Sequence, residues 1–119
     1  MKIKAKLNVH DHIVDESDHR GLSPGMIYYV VGVSGDHLRA INDNGDPVLY
    51  PESLFEIVDP NIPNDWITEN FDDEDYINPP EFSNPGFYED YFDGVSAAVD
   101  KFEAFRKLNN LPKRKSVTT

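Results

Sequence analysis

The chain has no cysteine, so disulfide staples, a thiolate nucleophile and sulfur-ligated zinc are all excluded. It also has no lysine, arginine or histidine between Ala40 and Asp100, a stretch that holds sixteen carboxylates. Affinity for phosphates comes largely from Lys and Arg, so direct nucleic-acid binding is not expected of this half of the molecule. No apolar run approaches the length of a bilayer span. The start, Met1 to Leu7, carries charge without the apolar stretch of a signal peptide, and the expectation is a cytoplasmic protein with no membrane contact. A Gly-x-Ser-x-Gly elbow, a phosphate loop and a His-Glu-x-x-His helix are likewise missing. Paired carboxylates abound, but a general acid needs one carboxyl isolated in an apolar pocket, and crowded surface charge does not supply that. The expectation is therefore a protein that is not an enzyme, has no catalytic residue and uses no cofactor or metal.

What is present is charge of one sign, segregated along the chain. Residues 1–39 hold five acids against five Lys/Arg, and residues 101–119 hold one acid against six, so the net charge of −11 is concentrated in the middle. Like charges placed together cost stability but speed the encounter with an oppositely charged partner. At 119 residues, 39% of them hydrophobic and 12% aromatic, the chain can bury one domain core without staples.

Alternation in Ile3-Lys4-Ala5-Lys6-Leu7-Asn8-Val9 predicts a strand with Ile3, Ala5, Leu7 and Val9 facing inward. His10 to Arg20 is polar and reads as an exposed loop anchored by Ile13 and Val14, followed by the punctuation Gly21 to Gly25. Met26 to Val33 is β-branched and aromatic, a strand buried on both faces along part of its length, and His37 to Ile41 returns beside it. Asn42-Asp43-Asn44-Gly45-Asp46 signals a tight hairpin, since Asn-Gly tolerates positive φ, and Pro47 to Tyr50 follows as a strand. Pro51 to Phe55 reads as one helical turn and Glu56 to Val58 as a last short strand. These elements predict a mainly β, α+β protein with a small SH3-like barrel over residues 1–59.

After Asp59, prolines at 60, 63, 79, 80 and 85 alternate with aromatics, and residues 60–93 read as an irregular acidic arm docked on the barrel. Val95, Ala98, Val99, Phe102, Phe105 and Leu108 form a helical stripe, so residues 94–111 read as one C-terminal helix, followed by a frayed basic tail, residues 112–119.

Asp72-Asp73-Glu74-Asp75 has the oxygen ligands that calcium takes but lacks the alternating spacing and glycine of a ligand loop, so a solvated or partner-facing charge run is the better account. His10-x-His12, with His19 and His37, lacks spacing that would fix a zinc set. Aromatic anchors within a charged surround are what interface cores and steering rims use. On that ground the candidate partner-binding residues are Asp72, Asp73, Glu74, Asp75 and Tyr76, with Glu89, Asp90, Tyr91 and Asp93. Trp66, Phe82 and Phe87 are assigned instead to packing the arm onto the barrel.

Leu22-Ser23-Pro24-Gly25-Met26 to Gly32, Leu38 to Asp43, Pro47 to Pro51 and Phe55 to Asp59 resemble a compact bacterial SH3-like module. With the acidic aromatic extension around Trp66 and Phe87 to Gly94, the chain resembles small immunity proteins of polymorphic or contact-dependent toxin systems. The resemblance covers roughly residues 20–94 and implies a cytoplasmic inhibitor that binds one cognate toxin domain, often a basic nuclease, by steric and electrostatic occlusion. The alternative is an SH3-like adaptor that binds a protein or peptide and inhibits nothing. A metal-dependent hydrolase ranks last.

Overall fold

Alternation of apolar and polar residues starts the fold. A computed structural model describes residues 1–7 and 21–113, and its first strand, β1 (Lys2–Ala5), buries Ile3 and Ala5 completely while its lysines stay outside. The inward stripe ends there. Leu7 is 81% exposed, which corrects its expected inward position. The extension of this strand to Val9, the loop with His10, His12 and His19, and the tail beyond Lys113 lie outside the described residues.

β2 (Ile27–Ser34), β3 (His37–Ile41), β4 (Pro47–Pro51) and β5 (Phe55–Asp59) follow close to the expected positions, with one 3₁₀ turn at Glu52–Leu54 before β5. They form an antiparallel sheet in the order β4-β3-β2-β1-β5, the arrangement expected of an SH3-like barrel. The β3–β4 turn is held by the side chain of Asn42, whose Oδ1 accepts from the backbone N–H of Asn44 and Asp46, both at 3.0 Å. Gly45 supplies the φ of +80° that closes it.

β2 is buried on both faces along part of its length, as its β-branched composition implied, and so is β3. By the alternation of the pleat, Val30 faces one side and Val31 the other, and Ala40 and Ile41 divide in the same way. Inside the barrel, Ile3, Ala5, Tyr28, Val30, Leu38, Tyr50, Leu54 and Phe55 form one core. Outside it, Val31 and Ile41 meet Phe82, Phe87, Tyr91, Ala98 and Phe102 in a second.

The second core belongs to the segment read as irregular, and here the structure corrects the sequence. Residues 60–93 contain a hairpin, β6 (Ile67–Phe71) and β7 (Glu74–Asn78), a 3₁₀ turn at Pro80–Phe82 and a first helix, α1 (Phe87–Phe92). The C-terminal helix, α2 (Ser96–Leu108), is therefore the second of two. The prolines that suggested irregularity flank these elements: none falls between Pro63 and Pro79, so nothing in that interval forbids a ladder. β7 pairs with the C-terminal end of β2, placing Ile77 beside Val33 and Tyr76 beside Ser34, along the edge that β1 leaves open. The hairpin thus continues the barrel sheet.

α2 begins and ends about where its stripe predicts. Ala98 and Phe102 are buried, Val99 and Phe105 partly so, while Val95 and Leu108 are exposed. Arg106, one of the cations near the C-terminal end of the helix, is only 2% exposed. Its guanidinium donates to the carbonyls of Gly45 (2.7 Å) and Pro112 and to Glu103 (3.2 Å), tying the helix to the β3–β4 turn and to the chain beyond α2.

Candidate protein-docking face

Two adjacent aspartates make the bend of the acidic hairpin. Asp72 and Asp73 have φ of +51° and +65°, and Phe71 pairs directly with Glu74. Positive φ at both central residues of a two-residue loop is the type I′ geometry, which matches the twist of the strands it joins and which Asp tolerates better than most residues. Asp72-Asp73-Glu74-Asp75 is therefore not one charged loop. Asp72 and Asp73 sit at the tip, and Glu74 and Asp75 point to opposite faces of β7, because neighbouring strand residues alternate.

From the register, one face of the hairpin carries Ile67, Glu69, Phe71, Glu74, Tyr76 and Asn78, and the other carries Thr68, Asn70, Asp75 and Ile77. On the first face the Phe71 and Tyr76 rings meet edge to face with centroids 5.8 Å apart, and the Tyr76 hydroxyl donates to Glu74 at 3.3 Å. Partial desolvation and the neighbouring Glu74 carboxylate both raise the Tyr76 pKa. On the second face Asn70 Nδ2 donates to Asp75 Oδ1 at 3.0 Å. Phe71 remains 58% exposed and Ile67 40%, with all of β6 open to solvent.

The first face borders a groove of about 350 Å³ on the outer side of the sheet, lined by Ser34, Arg39, Glu69, Phe71, Tyr76 and Tyr88 among others. Gly32 lies at its floor, where a Cβ would stand 2.5 Å from Asn78 Oδ1 and make that side chain shift. The guanidinium of Arg39 lies 3.7 Å over the Tyr88 ring and donates to the Pro47 carbonyl at 3.0 Å. Burial lowers the Arg39 pKa and raises that of Tyr88, whose hydroxyl has no hydrogen-bond partner among the described residues. Nothing in the sequence marks Arg39 as a floor residue, since it occupies an ordinary polar position of an alternating strand.

The nine expected contact residues divide. Asp72, Asp73, Glu74, Asp75 and Tyr76 share the hairpin, and Glu89, Asp90 and Asp93 are exposed on or just after α1 without lining the groove. Tyr91 is the correction. It is 1% exposed, packed against Phe102 with centroids 5.0 Å apart, and accepts from Arg106 at 3.4 Å, so it holds the outer core and is unavailable to a partner. Phe71, which the sequence reading passed over as a contact, is left in solvent at 58% exposure, as is Phe92 on α1 at 49%.

The charge stays outward. Thirteen of the sixteen carboxylates between Ala40 and Asp100 are exposed. The ion pairs among the described residues are His37 with Asp36 and Arg106 with Glu103, neither of which neutralises that stretch. Among the described residues, no group of three or more His, Asp or Glu is arranged to hold a metal, and no helix is long and apolar enough to cross a membrane. Comparison with protein-family models, curated proteins and solved structures finds no match for this chain.

Proposed function

We propose that this protein is a non-catalytic, cytoplasmic inhibitor that occludes a basic partner with its acidic hairpin, in the manner of the immunity proteins it resembles. The cognate partner would be a Lys/Arg-rich toxin domain, most simply a nuclease. The observation that carries this reading is the exposure of Phe71 on a hairpin whose tip and both faces bear carboxylates with no basic residue in the same segment. Exposed rings surrounded by charge give anchoring and steering together. Opposite charge raises the association rate toward roughly 10⁸ M⁻¹s⁻¹ at low salt, while ring burial slows dissociation. Screening over about 8 Å at physiological salt restricts the energetic role to carboxylates close to the contact.

The test is co-expression with the product of the neighbouring reading frame, which this reading expects to carry a Lys/Arg-rich toxic domain. The expected outcome is protection from its toxicity, together with an association rate about tenfold lower at low salt when Asp72, Asp73 and Asp75 become Asn and Glu74 becomes Gln. Asn accepts the positive φ at the tip, so this variant keeps the turn while removing charge. Absence of protection by a folded chain overturns the inhibitor reading. Protection with an unchanged association rate removes the hairpin charge as the steering element. An SH3-like adaptor would instead bind its ligand without suppressing any activity. Deleting residues 60–93 would not separate the two readings, because Phe82, Phe87 and Tyr91 in that stretch belong to the core.

A further inference from the structure

The hairpin leaves a sheet edge open. β6 pairs with β7 on one side and, among the described residues, with nothing on the other, and all five of its residues are exposed. In a two-residue hairpin closed by Phe71 and Glu74, the inward-bonded positions of β6 are Phe71, Glu69 and Ile67, because narrow and wide pairs alternate from the turn. The backbone N–H and C=O of Thr68 and Asn70 therefore point away from the sheet. An edge of this kind is a template for another strand.

A second copy does not suit it. Antiparallel self-pairing centred on β6 would set Glu69 against Glu69, and like charges directly opposite are destabilising. We infer that β6 receives an extended segment of a basic protein partner as an added antiparallel strand, with a Lys or Arg opposite Glu69 and apolar residues opposite Ile67 and Phe71. On the groove-side face β6 reads apolar, acidic, apolar, so the matching segment reads apolar-x-basic-x-apolar. The Asp72, Asp73 and Glu74 carboxylates beside that face extend the preference for positive charge. Main-chain hydrogen bonds at Thr68 and Asn70 supply attachment and the alternate side chains supply selection. This inference rests on the proposal of a basic partner and adds the way it is held.

The probe is a capped synthetic peptide, Thr-Val-Thr-Lys-Thr-Val-Thr, added to the full chain. The expected result is slowed hydrogen exchange and shifted amide resonances at Thr68 and Asn70. Two changes should each weaken binding about tenfold or more: N-methylation of the two peptide threonines beside Lys, and the double substitution Thr68→Pro with Asn70→Pro, which removes outward donors without touching the β7 ladder. Thr68→Ala with Asn70→Ala keeps those donors and should stay within about twofold. If the proline variant unfolds, the N-methylated peptide alone decides. Equal binding of the methylated and unmethylated peptides, or no binding at millimolar peptide, overturns the inference. The hairpin charge variant separates this from the steering reading: loss of its association rate with retained protection at Thr68 and Asn70 supports both, and weakened peptide binding by the proline variant with steering intact still supports strand addition.

Discussion

The two cores that share β2 and β3 are built differently. The inner one mixes the aliphatic residues Ile3, Ala5, Val30, Leu38 and Ala40 with the Phe55 ring and with Tyr28 and Tyr50, whose hydroxyls reach polar partners. The outer one is an aromatic stack in which Phe82 lies 4.8 Å from Phe87, 5.0 Å from Phe102 and 4.7 Å from Phe105, centroid to centroid. Strands joined by backbone pairing can hold a mixed aliphatic and aromatic core, whereas short, irregularly connected elements bury enough surface to dock only if each contributes a large ring. The C-terminal half is thus a second layer on a barrel made by the first half.

That comparison breaks if the layers unfold separately. Phe102→Ala removes a fully buried ring from the outer core, and Leu54→Ala removes a buried side chain from the inner one. Each should cost about 3–5 and 2–5 kcal/mol respectively. Trp66, beside Phe105 and Leu108, reports the outer layer, and far-ultraviolet circular dichroism reports the sheet. Coincident denaturant transitions for both variants are expected, and a sheet transition unmoved by Phe102→Ala would make the outer layer an appendage.

The tie between the layers is weaker. Arg106→Met keeps the volume of the stem but strands the Gly45 and Pro112 carbonyls, with an expected loss of about 2–4 kcal/mol in urea unfolding. Arg106→Lys should recover part of it. A Met variant as stable as the parent would mean that ring packing alone fastens the layers.

The smallest effect tests the inner core at its polar edge. The Tyr28 hydroxyl donates to Asp43 at 2.7 Å and accepts from the Ser23 N–H at 2.6 Å. Burial foremost, with the Asp43 carboxylate adding to it, pushes its pKa up to about 12. The folded state therefore holds this proton more tightly than the unfolded state, whose tyrosine titrates near 10. The resulting stabilisation is complete below pH about 10 and is lost as pH rises toward about 12. Tyr28→Phe should lower stability by about 1–2 kcal/mol at neutral pH and flatten the decline between pH about 10 and about 12, seen as a shallower fall in thermal midpoint. An equally steep decline in the Phe variant would place the titration elsewhere.

Most of the barrel was legible because its signals are local. Period-two alternation located Ile3 and Ala5, the Asn42 to Asp46 segment announced its own turn, and the β-branched run of β2 foretold burial on both faces. The hairpin was missed although Ile67 to Phe71 and Glu74 to Asn78 each have strand-like spacing, since the nearby prolines and an Asp-Asp turn obscured it. Arg106 was missed for another reason. A helix C-terminus favours a cation whether it lies in water or under a neighbouring turn, and only contact with Gly45 distinguishes the two.

By itself the sequence determined the mainly β barrel and the one-signed charge of the middle segment, because propensity, turn chemistry and ionisation belong to residues and their nearest neighbours. Tertiary structure alone decided that Tyr91 is buried while Phe71 is exposed, that four consecutive acids divide between a tip and two faces, and that β6 keeps an open edge. Those outcomes depend on which surface of the barrel each later segment covers, and that is settled by packing between residues far apart in the chain.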